Sequence, residues 1–450
     1  MTISPPRTAG PAAELLAELC ETIAARPEFR GETAATALAD MTRQCREPLR
    51  VAVTGDVSTG KSTLVNAFLG QELAATARTE TTSNVTWFHH PGLPQGAPIG
   101  PGHRYQAVEF PLADRVILID TPGVNTPSDN EKITDAMING ASSAAGAATV
   151  LLYLCHKTVS GGAKNRIDQF SRLAAGSLGH GFNVVLVGAK ADEGGIDPAD
   201  IMANLEREAA LLGIRAITVI QQLAVVARTG ALRPEHLNTL QVIAKDRELR
   251  YDYAPFGWAM LRIGWDARGH DRADLDALWQ LTPTTTFGIE RAMAVFDSGQ
   301  LVGVDDLAAT WEQLSGLAAV EALLDELAAD GDLLTVNAVS GRLRRLGASL
   351  GPQRSALIRA RLHGLRGDAR FARLDLATAA LALRTNVFAD LPEHEGQAAI
   401  ELLRGRALPA PELARRWRRL AAQPGRSTFA RHVANIVADA ALGETYGRTP

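Results

Sequence analysis

The sequence predicts a mainly parallel α/β sheet with helices on both faces, joined to an all-helical unit. Three observations carry that reading. Short apolar runs alternate with amphipathic segments from 49 to about 228, the rhythm of strand–helix–strand crossovers. The run LRVAVT (49–54) flows into the glycine-rich stretch GDVSTGKST (55–63) and then the helix-forming TLVNAFLG, which is the strand–loop–helix of a phosphate-binding loop. Beyond 230 the strand signal fades and apolar residues recur at helical spacing.

Taken in order, residues 11–46 have helical periodicity through Leu15, Leu16, Leu19 and Ile23, then Ala35, Leu38 and Met41, with Pro27 as a break and Pro48 ending the arm. The expected strands are 49–54, 85–88, 115–120, 148–154, 183–189 and 216–221, with a helix at about 61–69. PGLPQGAPIGPG (91–102) reads as a surface loop. The uncharged stretch 136–156 is diluted by Asn, Gly and Ser in its first half. A buried strand at ATVLLYL explains it better than a bilayer span of about 20 apolar residues. VDDLAATWEQLSGLAAVEALLDELAAD (304–330) reads as a helix capped by Asp305 or Asp306, and further helices are expected at 354–366, 371–384, 394–405, 411–422 and 427–442. The domains read from this pattern are an N-terminal helical arm (1–48), an α/β domain (49–230) and a helical unit (231–450).

A chain of 450 residues with 46% apolar and 21% charged content has a globular composition and ample core. Its net charge of −4 argues against a general nucleic-acid binder. Cys20, Cys45 and Cys155 lie far apart without metal-ligand spacing, which fits a reducing cytoplasm. The N-terminus MTISPPRTAG lacks a signal pattern.

The motifs specify the ligand. Gly55, Asp56, Val57, Ser58, Thr59, Gly60, Lys61, Ser62 and Thr63 follow the spacing G-x-x-x-x-G-K-S. Backbone N–H groups of such a loop cradle phosphate oxygens, Lys61 reaches the β- and γ-phosphates, and Ser62 offers a hydroxyl to Mg²⁺. RVILIDTPG (115–123) ends a strand on Asp120, which can hold Mg²⁺ through water, and Gly123, whose N–H can sense the γ-phosphate. NVVLVGAKADE (183–193) supplies Lys190, whose stem can cover a purine, and Asp192, whose carboxylate can accept from guanine N1–H and its exocyclic amine together. Adenine offers neither donor there, so GTP is favoured over ATP. This last stretch resembles the N/T-K-x-D motif of GTPases, with Ala189 in the first position and one side-chain hydrogen bond therefore missing. In TARTETTSNVTWF (76–88) four threonines compete for a switch role, and Thr82 is the choice, three residues before the strand.

Together these residues resemble the dynamin superfamily, and within it the bacterial dynamin-like GTPases of actinobacteria, including the mycobacterial isoniazid-inducible group. The resemblance lies in LRVAVTGDVSTGKSTLVNAFLGQELAAT, TETTSNVTWF, VILIDTPGVNTPS, VLVGAKADE and TTFGIERAMAVF (285–296). It implies an α/β P-loop GTPase domain plus an all-helical stalk, with the arm at 11–46 packing into that stalk. It implies Mg²⁺ as cofactor for GTP, and a homodimer or a paired dynamin-like GTPase as partner. Ser58 matches a phosphate-loop serine near the β–γ bridge, and with Lys61 and Thr82 forms the expected catalytic set. Ser62, Thr82 and Asp120 are the expected metal residues; Lys190 and Asp192 are the base readers. Val57 and Val124 stand where relatives place a glutamine that orients water, so the isolated chain is expected to hydrolyse GTP slowly.

An anionic membrane surface is a further expected partner. RRWRR (415–419) sets an aromatic among four arginines, and 342–374 carries nine arginines against one acid, Asp368. Basic residues near such a surface contribute about 1 kcal/mol each, although a solvated basic helix face gives the same pattern. The expected location is cytoplasmic, with a peripheral station at the inner face of the cell membrane open to it. Two rivals are a slow or non-hydrolysing switch scaffold acting with a partner GTPase, and a ribosome-assembly GTPase, which the acidic charge and the lack of an appended RNA-binding motif disfavour.

Overall fold

A computed structural model describes residues 6, 10–56, 58–74, 85–93, 103–121, 148–174, 182–192, 198–281, 286–298, 303–384, 388 and 390–443. The arm forms α1 (Pro11–Ala24) and α2 (Glu32–Arg46), broken where Pro27 stands by a turn of 3-10 helix at Pro27–Phe29. The α/β part then runs β1 (Leu49–Gly55), α3 (Lys61–Leu69), β2 (Val85–His89), β3 (His103–Ala107), β4 (Val116–Asp120), β5 (Val150–Cys155), α4 (Gly161–Ala174), β6 (Val184–Ala189), α5 (Pro198–Leu212), β7 (Arg215–Val219) and α6 (Gln221–Thr229).

These strands form one seven-stranded sheet in the order β3-β2-β4-β1-β5-β6-β7. Every pairing is parallel except β2 against β4. β1, β4, β5 and β6 are buried along their whole length, which is why they read as unbroken apolar runs rather than alternating ones. Alternate residues feed two different cores. Val51, Val53, Leu118, Leu152 and Leu154 pack with α1, α2 and α3, while Ala52, Ile117, Ile119, Leu151 and Tyr153 pack with α4 and α5.

The structure differs from the sequence expectation at two places in the sheet. β3, HRYQA, was not expected; it is a polar, half-exposed edge strand, and such strands carry no apolar run to read. The strand expected at 216–221 stops at Val219, and Gln221 instead opens α6. The stretch ATVLLYL does become a buried strand, β5. Among the described residues no helix is long and apolar enough to cross a membrane.

After α6 the described chain is helical: α7 (Pro234–Lys245), α8 (Trp258–Ala267), α9 (Arg272–Leu281), α10 (Phe287–Ser298), α11 (Val304–Leu314), α12 (Leu317–Ala329), α13 (Gly331–Ser349), α14 (Pro352–Leu365), α15 (Ala369–Ala382), α16 (Glu393–Leu403), α17 (Pro411–Ala422) and α18 (Thr428–Ala441). The single helix expected at 304–330 is two, because the chain turns at Ser315–Gly316 with Gly316 in the left-handed region, φ 76°. That turn also divides the packing. Leu240, Leu261, Leu278, Ile289 and Trp311 join the core beneath α4 and α5, whereas Leu317, Leu324, Val339 and Trp417 join the core beneath the arm.

Polar contacts fasten the helices to the sheet. Asp332 accepts from the N–H groups of Ala12 and Ala13 at 3.1 and 2.7 Å, capping α1 from α13. On α12, Glu321 accepts from Arg228 at 2.7 Å, Glu326 pairs with Arg215 at 3.1 Å, and Asp325 pairs with Arg115. In RRWRR the aromatic is no surface tip: Trp417 is fully buried and packs edge-on against Phe388, while Arg416 pairs with Glu395 and Arg418 with Asp439.

Candidate nucleotide site

Parallel strands bring their carboxyl ends to one edge, where ligands of open α/β sheets bind. β1 delivers Gly55 and the phosphate loop to that edge, β4 ends on Asp120, and β6 ends on Ala189, just before Lys190. Registers of Val53 with Asp120, of Gly55 with Leu154 and of Leu154 with Val187 align these ends across β4, β1, β5 and β6.

Within the loop, Gly60 has φ 81° and caps α3, so the N–H groups of Lys61 and its neighbours open the helix toward the loop. A Cβ on Gly60 would lie 2.4 Å from Gln221 Nε2 and would push that amide aside. Ser58 is also left-handed, φ 63°, a conformation a non-glycine residue adopts at a cost. The Thr59 hydroxyl donates to the Asp56 carbonyl at 2.8 Å, and the Asp56 carboxylate accepts from the Tyr153 hydroxyl at 3.2 Å. The Lys61 ammonium donates to the carbonyls of Gly55 and Asp56 at 3.1 and 2.7 Å. Burial lowers its pKa to about 8 against the opposing charges of Asp120 and Asp56.

Ser62 Oγ donates to Asp120 Oδ2 at 3.0 Å. Asp120 is 2% exposed, and its Oδ1 is buried without a hydrogen-bond partner among the described residues. Burial raises its pKa to about 6, against the Ser62 hydrogen bond and the Lys61 charge. A carboxylate oxygen held bare beside a serine hydroxyl is a donor set that fits a hard divalent cation. Lys190 is left-handed, φ 54°, and turns the chain from β6 toward Asp192, which is half-buried. Val57, Thr82, Gly123 and Val124 lie outside the described residues.

Sequence reading missed Gln221. Its amide spans the site: Nε2 donates to the Thr59 carbonyl at 2.7 Å and Oε1 accepts from the Lys190 N–H at 2.9 Å. The only hint was a polar residue in a run otherwise read as strand.

Residues 50–184 match the model of a GTPase family described as 50S ribosome-binding GTPase. The chain carries a P-loop GTPase domain. It is also 26% identical over 286 residues to the isoniazid-induced protein IniC of Mycobacterium tuberculosis, in strains CDC 1551 / Oshkosh and H37Rv, with 56% of this chain and 57% of IniC covered. The chain thus spans little more than half the length of the curated relatives it matches. That match bears out the resemblance to bacterial dynamin-like GTPases of the isoniazid-inducible group. Among solved structures, the chain is similar to a member of an oligomerised bacterial dynamin pair described in long-range sensing and tethering of membranes, at 11% identity and TM-score 0.32, covering 96% of this chain and 73% of that one. It is also similar to LeoA, a bacterial dynamin GTPase from ETEC, at 14% identity and TM-score 0.26, covering 87% and 57%.

Proposed function

We propose that this chain binds GTP with Mg²⁺, hydrolyses it slowly when alone, and uses nucleotide-controlled pairing with a second GTPase domain to move its helical part, at a membrane surface. The observation that supports this most is the meeting, at one sheet edge, of a phosphate loop, a carboxylate with one bare buried oxygen and a loop carrying Asp192.

In this reading Ser62, Asp120 and Thr82 would hold Mg²⁺, which supplies charge neutralisation between phosphate oxygens. The loop from Gly55 to Thr63 offers its N–H groups to the phosphates, and the Lys61 ammonium swings from the loop carbonyls to the β- and γ-oxygens. Asp192 accepts two guanine donors while the Lys190 stem covers the ring. Thr82 offers its carbonyl to the attacking water once the loop 76–83 closes, and Ser58 and the Gly123 N–H serve the β–γ bridge and the γ-phosphate. A second GTPase domain across the nucleotide would hold residues 76–83 shut and exclude solvent. The domain division remains 1–48, 49–230 and 231–450, with the arm moving with the helices it packs on. Membrane contact is assigned to the exposed arginines of α14 and α17, among them Arg359, Arg361 and Arg419. Val57 and Val124 favour a second reading, a nucleotide switch that acts with a partner GTPase and never bends lipid.

Titration tests the nucleotide. GTP and GDP should bind in a Mg²⁺-dependent manner, with ATP at least about 50-fold weaker, roughly 2.3 kcal/mol. Asp192→Ala should erase that preference while the melting profile stays unchanged. Equal affinities for GTP and ATP in the parent chain would overturn the assignment. Co-sedimentation with anionic liposomes, with and without nucleotide, separates the membrane reading from the scaffold.

A further inference from the structure

We infer that Gln221 is a specificity-determining positioning residue: its one amide ties the guanine-reading loop to the phosphate loop, in place of the polar side chain absent at Ala189. The inference rests on the guanine-nucleotide reading of the site and goes beyond it, because Gln221 lies outside every nucleotide motif in the sequence.

Four observations support it. The side chain is 2% exposed, so its two hydrogen bonds have no water to replace them. Its orientation is fixed by chemistry: Thr59 presents a carbonyl and Lys190 an N–H, so the amide must put Nε2 on the first and Oε1 on the second. Gly60 lies against Nε2 so closely that any side chain there would displace the amide. Ala189 is 1% exposed and ends at its Cβ, so it cannot reach either loop with a polar atom.

The consequence is geometric. Lys190 sits in a left-handed conformation, φ 54°, which its N–H bond to Gln221 helps to hold. Asp192 follows two residues later, so the amide sets where the base-reading carboxylate stands relative to the phosphate loop. Phosphate binding by backbone N–H groups tolerates a small shift, but two parallel hydrogen bonds to a guanine edge do not. Loss of the tie should therefore fall on base discrimination more than on phosphate affinity. The anchor of the amide lies in the helical part, since the Ile220 N–H donates to the Ser315 carbonyl at 2.8 Å in the turn between α11 and α12.

The test compares the full-length parent chain with Gln221→Ala, Gln221→Glu and the double variant Gln221→Ala/Ala189→Asn. Each is titrated with GTP, ATP and ITP, which lacks the exocyclic amine. Gln221→Ala should weaken GTP about tenfold, the scale of one buried hydrogen bond, while ATP changes less than about twofold. Gln221→Glu keeps an acceptor for the Lys190 N–H but sets a carboxylate against the Thr59 carbonyl, which breaks the tie to the phosphate loop, and should lower the GTP-to-ATP ratio as well. Adding Ala189→Asn to Gln221→Ala should restore part of the ratio, which a general packing defect would not allow. An unchanged ratio in Gln221→Ala, or equal losses of GTP and ATP that Ala189→Asn does not recover, would overturn the inference. If Gln221→Ala does not fold, a parent-like ratio in Gln221→Glu overturns it equally. A parent chain with no preference for GTP would sink the nucleotide assignment instead, so the two failures are distinguishable.

Discussion

Asp40 is 4% exposed and faces three arginines. It accepts from Arg43 at 2.8 Å, Arg50 at 3.1 Å and Arg342 at 2.8 Å, which joins α2, β1 and α13 through one carboxylate. Burial pushes its pKa up, but the charges of Arg50 and Arg342 with the hydrogen bonds from Arg50 and Arg43 outweigh that and hold it well below the usual carboxylate range. A depressed folded-state value means the contribution is whole above the unfolded value of 3.8 and drains as pH falls through the folded one. Asp40→Asn leaves two buried guanidinium groups short of charge, a loss of about 3–5 kcal/mol. The difference in melting temperature between parent and Asp40→Asn should stay level from pH 7 to pH 5 and shrink only below about pH 4. A difference that shrinks already between pH 7 and pH 6 would contradict the network. At this scale, local motif residues were legible because their spacing along the chain is the chemistry: Lys61 with Ser62, and Asp120 at a strand end. Gln221 was not legible, since it stands 31 residues from Lys190 and 162 from Thr59 and meets them only in the fold.

Helix existence was legible from periodicity, and helices at 411–422 and 428–441 fall close to where apolar spacing puts them. The break inside 304–330 was hidden because Ser315–Gly316 sits in an otherwise continuous apolar stripe. The reason for the break is tertiary: a Cβ on Gly316 would lie 2.6 Å from the Thr218 carbonyl of β7, and φ 76° suits glycine there. Gly316→Ala should therefore cost roughly 1–3 kcal/mol, read as an earlier thermal transition. It should also weaken GTP binding, because the turn carries the carbonyl that holds Ile220 beside Gln221. Parent-like melting with parent-like GTP affinity would show that the turn has slack. RRWRR teaches the reverse lesson. Read as sequence it sets an aromatic among four arginines that could meet anionic headgroups, and the helical period that spreads those arginines outward turns Trp417 inward to the core.

Over the whole molecule, the helices divide between the two faces of the sheet, and the turn at Ser315–Gly316 passes between them beside the end of β7. Arg228 of α6 donates to Glu312 and Glu321, which ties the helices on either side of that turn to the helix that follows β7. Pairing and hydrolysis were legible only as expectations, because in the proposed function they rest on a second chain and on Thr82, which lies outside the described residues. The most direct test of the functional account is GTP turnover per chain, with Mg²⁺, across a hundredfold dilution. With water-orienting glutamine absent at Val57 and Val124, specific activity should be slow when dilute and rise with concentration, and Thr82→Ala should lower kcat far more than it weakens GDP binding. A flat, fast rate at every dilution would contradict the account by placing a complete catalytic set within one chain, and no turnover at any concentration, with or without anionic liposomes, would contradict it in favour of the non-hydrolysing switch.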